Sequence, residues 1–424
     1  ENLYDSRKST SWEDRQALKI MKESMRKEDG KYIVRQPWRE IPPTFPENRS
    51  IVLGRFRSLE KKFQRDPEYF ENYRKSIDDF EKREIAEIVP KEELRTKPGR
   101  VNYVAHHGVE HPRKKSIRIV FDTSLKVQGT HLSSMLYPGP DLLNRLVGVL
   151  FRFRLRRIAV VGDIESFYHS VYIPKEDRDY YRYLWYRNGN LGDELIERRI
   201  LVHLMGGNSS QSCCMLAVND AVDQAVNAGE LTAEEGEETK KALYSDDYGN
   251  SFDDVTRAID ILLRTIAVLA GSNFTLTKFA SNNIDILKKI PRERLAPDVA
   301  DMVLEGKSGT VLGINWMYDT DELFFDYELP DTEILTKRMF LSAIATIFDP
   351  AGMIAFAIVP AKLLLQNAFR RNLRWDEELP DDIRSEIERW TTAMGRLKEL
   401  RIPRSLSGSS SSPVVDRQLH LFSD

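Results

Sequence analysis

Cysteine is nearly absent. Cys213 and Cys214 are the only two in 424 residues, and they are adjacent. Neighbouring cysteines make a poor structural bridge and supply too few ligands for a zinc site. A disulfide scaffold is thus excluded, and a reducing, intracellular setting is the simplest expectation. No run of eighteen uncharged apolar residues occurs, so no helix is expected to span a bilayer. The first residues (ENLYDSRKST) lack the apolar core of a secretory signal. Net charge is scarce too: 63 Lys and Arg stand against 66 Asp and Glu, a balance of −3, which as an average argues against a strongly basic nucleic-acid binder. No G-x-S-x-G is present, so serine hydrolase chemistry has no support. Gly306-Lys307-Ser308 fails as the end of a P-loop, because Asp301 stands where glycine is required. His106, His107 and His111 lack the cysteines or spaced carboxylates of a metal site and read as an ordinary strand.

What is present is ample material for a core: 41% hydrophobic and 10% aromatic residues, in a length that suggests about three domains. Residues 1–100 read as charged amphipathic helices with no visible chemistry. Ser11 and Asp14 have the spacing of a capping box, and Pro67 after Asp66 suits the first turn of a helix. From residue 101 the texture changes. The β-branched runs Ser116 to Asp122 and Ile158 to Asp163 predict strands of a covered sheet, with a helix from about Pro140 between them. Two apolar arms around Ser245-Asp246-Asp247 predict a hairpin, followed by a helix from Thr256 to about Leu269. The alternation indicates an α+β region over 101–330. Residues 331–404 are helical again, and 405–424 begin as a Ser-rich linker.

Three aspartates carry the strongest chemical signal. Asp163 follows an apolar strand, and Asp246 and Asp247 occupy the hairpin tip. Carboxylates held at strand ends suit hard divalent cations, and a pair of such ions can drive phosphoryl transfer. By itself an Asp-Asp pair is more often plain turn chemistry. Its surroundings change that weight. Arg118 to Asp122, Tyr137 to Asn144, Asp163-Ile164-Glu165, Pro174 to Arg178, Tyr244-Ser245-Asp246-Asp247, Leu312 to Trp316, Thr336-Lys337-Arg338 and Ile347 to Pro350 follow in order along the chain. Together they resemble the reverse transcriptases of LTR retrotransposons of the BEL/Pao group, over nearly the whole chain.

The resemblance implies a right-hand polymerase: a helical N-terminal segment, mixed fingers, a palm with an antiparallel sheet, and a helical thumb and connection. It implies that Asp163, Asp246 and Asp247 hold two Mg²⁺ ions, for which Mn²⁺ is an alternative. Arg118, with Lys114 and Lys115 nearby, would meet the triphosphate of the incoming dNTP. Tyr168 would stack beneath the sugar and select deoxyribonucleotides. Gly206 lies in a loop that aligns template and nucleotide, and Lys278 would approach the pyrophosphate. Tyr244, Gln211, Gly313 and Trp316 would contact primer and template, with Trp316 equally able to be core. The implied partners are an RNA or DNA template, a DNA or tRNA primer and dNTPs, with no membrane. The implied setting is cytoplasmic, in a virus-like particle, with the nucleus left open.

Two positions depart from the family pattern. Ser245 replaces a larger apolar residue, with a looser fit to the primer end expected. Gln211 stands where proline is common, so an altered template loop is expected. Leu419 to Asp424 resembles the first strand of an RNase H domain, stopping at its first acidic residue, so RNase H activity is not expected. Asp5-Ser6-Arg7 lacks the glycine of an aspartic protease motif, and neither protease nor integrase is expected. The competing reading is a decayed or domesticated retroelement fragment that binds nucleic acid without polymerising. The even charge balance resolves into two opposed segments. Residues 111–160 hold ten basic and two acidic residues, and 221–260 hold three basic and eleven acidic ones, net charges of +8 and −8. Such segregation suits phosphate binding beside an acidic metal site.

Overall fold

The computed structural model describes residues 11–95, 98–110, 116–327 and 335–407. Expectations placed on Lys114, Lys115, His111, Asp5 to Arg7 and the segment 408–424 fall outside them. The fold is mixed α and β, and the chain divides into two compact units, both discontinuous in sequence. The first comprises 1–143, 165–236 and 267–275, and the second the remainder. The boundary expected near residue 100 does not separate them, because strands before it pair with strands after residue 170.

The first unit begins with the helix Trp12–Ser24, whose Ser11–Asp14 capping box forms as expected. Asp66 caps the helix Pro67–Lys82, with Pro67 in its first turn. Strands also occur in this stretch, contrary to the all-helical expectation. Lys31–Ile33 pairs in parallel with Val171–Tyr172, and Ala86–Ile88 pairs antiparallel with Leu195–Ile200. These segments are only three residues long, and their partners are over a hundred residues away. No local periodicity could announce them. The predicted strand at 116–122 forms as Ile117–Asp122 and pairs with Ala105–Glu110. The core packs Phe56, Phe63, Tyr73, Tyr183 and Trp185 together.

The second unit holds the sheet that matters most for chemistry. Its strands are β1 (Ile158–Ile164), β2 (Leu243–Tyr244), β3 (Asp247–Phe252) and β4 (Leu276–Ser281), ordered β2-β3-β1-β4 with every pairing antiparallel. The helix expected from Pro140 begins only at Leu146. Before it, the Asp141 side chain accepts from the Leu143 amide, a local turn that competes with helix. A second antiparallel sheet joins β5 (Ser308–Val311), β6 (Ile314–Met317), β7 (Glu322–Phe324) and β8 (Arg401–Pro403). The three helices predicted after residue 336 form as Lys337–Thr346, Ala355–Arg370 and Asp381–Leu397. Their buried faces share a cluster that includes Phe340, Ile358, Ile387 and Trp390. Among the described residues, no helix is long and apolar enough to cross a membrane.

Candidate active site

The predicted hairpin is β2 and β3. Tyr244 pairs with Asp247, so Ser245 and Asp246 form a two-residue loop. Ser245 takes a φ of 57°, the left-handed region that two-residue hairpin turns demand and that glycine fills most cheaply. The Asp246 carbonyl accepts from the Ile164 amide at 2.6 Å, which ties the loop to the end of β1.

Register then does what sequence spacing could not. Asp163 on β1 lies directly opposite Asp247 on β3. Like charges across an antiparallel pair repel, and partial burial strengthens the repulsion. The Asp247 carboxyl is accordingly pushed up to about 6, by burial first and then by the charges of Asp246 and Asp163. A protein that gathers carboxylates this way needs a cation to offset them.

One such cation is already present. Between Thr277 and Ala280 the β4–β1 register gains one residue on β4, a bulge. Lys278 sits in it with a φ of 52°, and its Nζ lies 2.6 Å from Asp163 Oδ2. The bulge thus re-aims a lysine that an unbroken strand would direct elsewhere. Phe279, also in the bulge, packs so closely on Gly162 that a Cβ there would come within 2.9 Å of its ring. Sequence reasoning missed Gly162, although a glycine inside an otherwise β-branched run signals close approach.

Oxygen donors of this kind suit Mg²⁺ or Mn²⁺ by their hardness. A preformed cage is not present: among the described residues, no three His, Cys, Asp or Glu side chains converge to hold a metal ion. Asp163 is instead held by Lys278.

The remaining expected residues divide between the units. In the second, the turn Leu312-Gly313 joins β5 to β6 with φ values of 49° and 84°, and Phe348 packs on Gly313. Trp316, by contrast, is completely buried, packs edge-on against Phe153 and Tyr318, and donates its indole N–H to Asp321. It is a core residue, and contact with a primer is ruled out by its burial. In the first unit, Arg118 is exposed on its strand and reaches Met205 Sδ at 3.8 Å, beside Gly206 with its φ of 81°. The Tyr168 hydroxyl donates to Gln211 Oε1 at 2.5 Å. Gln211 lies in the first turn of the helix Ser210–Asn227, where proline would also be tolerated. The departure from proline therefore adds a hydrogen bond to Tyr168 without breaking the helix.

These features define, within the second unit, an antiparallel sheet that carries Asp163, Asp246, Asp247 and Lys278 at one end. Residues 336–424 match the family model described as "Pao retrotransposon-like RNaseH-like domain", so the Pao kinship expected from the motifs is shown for that part of the chain. The match begins well before Leu419, where the sequence alone placed the start of RNase H, and covers the stretch expected to be thumb and connection. Its described part comprises three helices and the strand β8. No curated protein matches the chain. Similar solved structures include a foamy viral protease-reverse transcriptase in complex with double-stranded DNA, at 14% identity and a TM-score of 0.47 over 76% of this chain and 47% of that one. Another is the foamy viral protease-reverse transcriptase with an RNA/DNA hybrid, at 14% identity and a TM-score of 0.45, covering 76% of this chain and 36% of that one. The chain spans less than half the length of either.

Proposed function

We propose that this chain is the reverse transcriptase of a BEL/Pao-like retrotransposon, extending a DNA or tRNA primer with dNTPs on an RNA or DNA template. The observation that carries this reading is the facing pair Asp163 and Asp247, with Asp246 in the adjoining turn. The fold is read as a right hand, with the β1–β4 sheet as palm and the helices after Lys337 as thumb and connection. Asp163, Asp246 and Asp247 would hold two Mg²⁺ ions, or Mn²⁺ in their place. When bound, such ions activate the primer hydroxyl and stabilise the leaving oxygen.

The chain's own residues have distinct tasks. Phosphoryl transfer needs positioning and charge neutralisation more than covalent help. Asp163 and Asp247 are presented rigidly because they sit on paired strands rather than on a loop. Lys278 offsets Asp163 and, being well exposed, is the group to meet the pyrophosphate. Arg118 offers a guanidinium fork to the triphosphate. Tyr168, steadied by Gln211, takes the position beneath the sugar. Tyr244 and Gly313 border the primer end.

The test is Mg²⁺-dependent incorporation of dTTP on poly(rA)/oligo(dT). Activity is expected in the wild type and absent in Asp246→Asn. Incorporation that survives that substitution would sink the site assignment.

A further inference from the structure

The first unit contains a polar cavity of about 160 Å³ that plays no part in the proposed polymerase chemistry. Lys31, Arg83, Ser166, His169, Thr275 and the carboxylate Glu165 line it. Its volume equals roughly five water molecules, far below the ~300 Å³ at which sites for whole nucleosides or drug-sized ligands begin. Only a small polar species fits.

The lining sets the sign of that species. Lys31 and Arg83 are cations, and their partners leave them exchangeable. Lys31 pairs with the exposed Glu84 and lies over the Tyr172 ring, while Arg83 makes longer contacts to Asp79 and Glu165, at 3.5 and 3.6 Å. Exposed ion pairs of this kind contribute little and are readily traded for a stronger acceptor. The hydroxyls of Ser166 and Thr275 can donate. His169 Nδ1 is buried without a hydrogen-bond partner among the described residues, and a buried polar atom left unsatisfied in a native fold calls for an explanation. Two cations against one lining carboxylate favour an anion over a metal ion, and the polar walls disfavour an apolar species. The larger neighbouring groove shares Lys31 and Tyr172 and is lined by Glu28, Asp29, Glu81, Glu84 and Glu87 with Arg178, a more acidic surface than the small cavity.

We propose that this cavity binds a small tetrahedral oxyanion of the phosphate class, free or as pyrophosphate, with Arg83, Lys31 and His169 as its principal contacts. The site is separate from the triphosphate contact assigned to Arg118 and does not depend on the polymerase reading.

The experiment uses the full chain in EDTA, so that divalent ions play no part. Inorganic phosphate, pyrophosphate and chloride are titrated in separate arms at equal ionic strength, with thermal unfolding and ³¹P line broadening as readouts. A saturable rise in Tm and saturable broadening are expected with phosphate or pyrophosphate and not with chloride. The arm with the tighter response identifies the source. Arg83→Gln and His169→Phe are expected to weaken binding about tenfold or more, as loss of a charge-assisted or buried hydrogen bond does. Ser166→Ala, which leaves every ion pair intact, should weaken it by a smaller factor and serves if the other variants fail to fold. Responses equal to chloride in the wild type, or unchanged affinity in the folded variants, would overturn the proposal.

Discussion

Two charged clusters, one in each unit, are balanced in opposite ways. In the first, Arg182 is fully buried yet saturated: Asp179 and Glu197 each lie 2.9 Å away, and a guanidinium nitrogen donates to the Glu93 carbonyl. Arg199 meets Glu87 at 2.7 Å, Glu93 at 2.5 Å and Asp179 at 3.0 Å. Both guanidiniums of this network have their carboxylates, and neither is left for a ligand. In the second, Asp247 faces Asp163 across the strands with Asp246 in the adjoining turn, and Lys278 pairs with Asp163. Balanced networks hold strands in register, whereas an unbalanced cluster stores repulsion that only a bound partner can relieve. The difference teaches where to look for function: a group shifted by uncompensated neighbours is a better pointer than a group that is merely buried and charged.

The comparison breaks most visibly at Asp247. Asp247→Asn should lower dTTP incorporation by roughly 10³-fold or more, the loss typical when a preorganised electrostatic group is removed. The same substitution should raise unfolding stability by on the order of 1 kcal/mol, because it deletes like-charge repulsion. Chemical denaturation of both proteins without divalent ions checks this, and a destabilised variant would contradict the stored repulsion. Arg182→Leu should do the reverse. It removes the buried guanidinium shared by Asp179 and Glu197, which keep Arg199 and Arg49, and should cost on the order of 3 kcal/mol, measured as a fall in the denaturation midpoint of the first unit.

Acid sharpens the contrast further. His106 and His203 are wholly buried and neutral, each pushed down to about 4 by burial. His106 donates to the Leu184 carbonyl and His203 to the Val34 carbonyl. An unfolded chain binds protons on both near pH 6.5, whereas the folded one resists until about pH 4. Stability is therefore intact above pH 6.5 and declines as pH falls through that window. Among the described residues every histidine belongs to the first unit, so its tryptophan signals, such as that of Trp185, should be lost at higher pH than those of Trp316. Coincident loss would refute the asymmetry. The smallest effect is expected at the turn: Ser245→Gly relieves a left-handed φ and should stabilise by roughly 1 kcal/mol, read as a rise in Tm.

Much of the fold was legible in the chain. The capping box at Ser11, the helix start at Pro67, the strands at 117–122 and 158–164, and the acidic hairpin all rest on interactions within a few residues, and propensity and turn chemistry report those directly. The helix Val255–Ala270 and the three helices after Thr336 announced themselves by periodicity for the same reason. What escaped were short strands with remote partners, such as Lys31–Ile33 beside Val171–Tyr172, whose stability comes from tertiary pairing rather than from their own residues.

The candidate site divides along the same line. The sequence by itself determined which carboxylates stand at the end of a strand and in a two-residue turn, because both are local facts. Only the tertiary structure set Asp163 opposite Asp247, brought Lys278 to Asp163 through a bulge 115 residues away, hydrogen-bonded Tyr168 to Gln211 and buried Trp316 beyond reach of a ligand. Register, bulges and burial are properties of how distant segments meet. They follow from packing and strand pairing across the whole chain, and no window of neighbouring residues contains them.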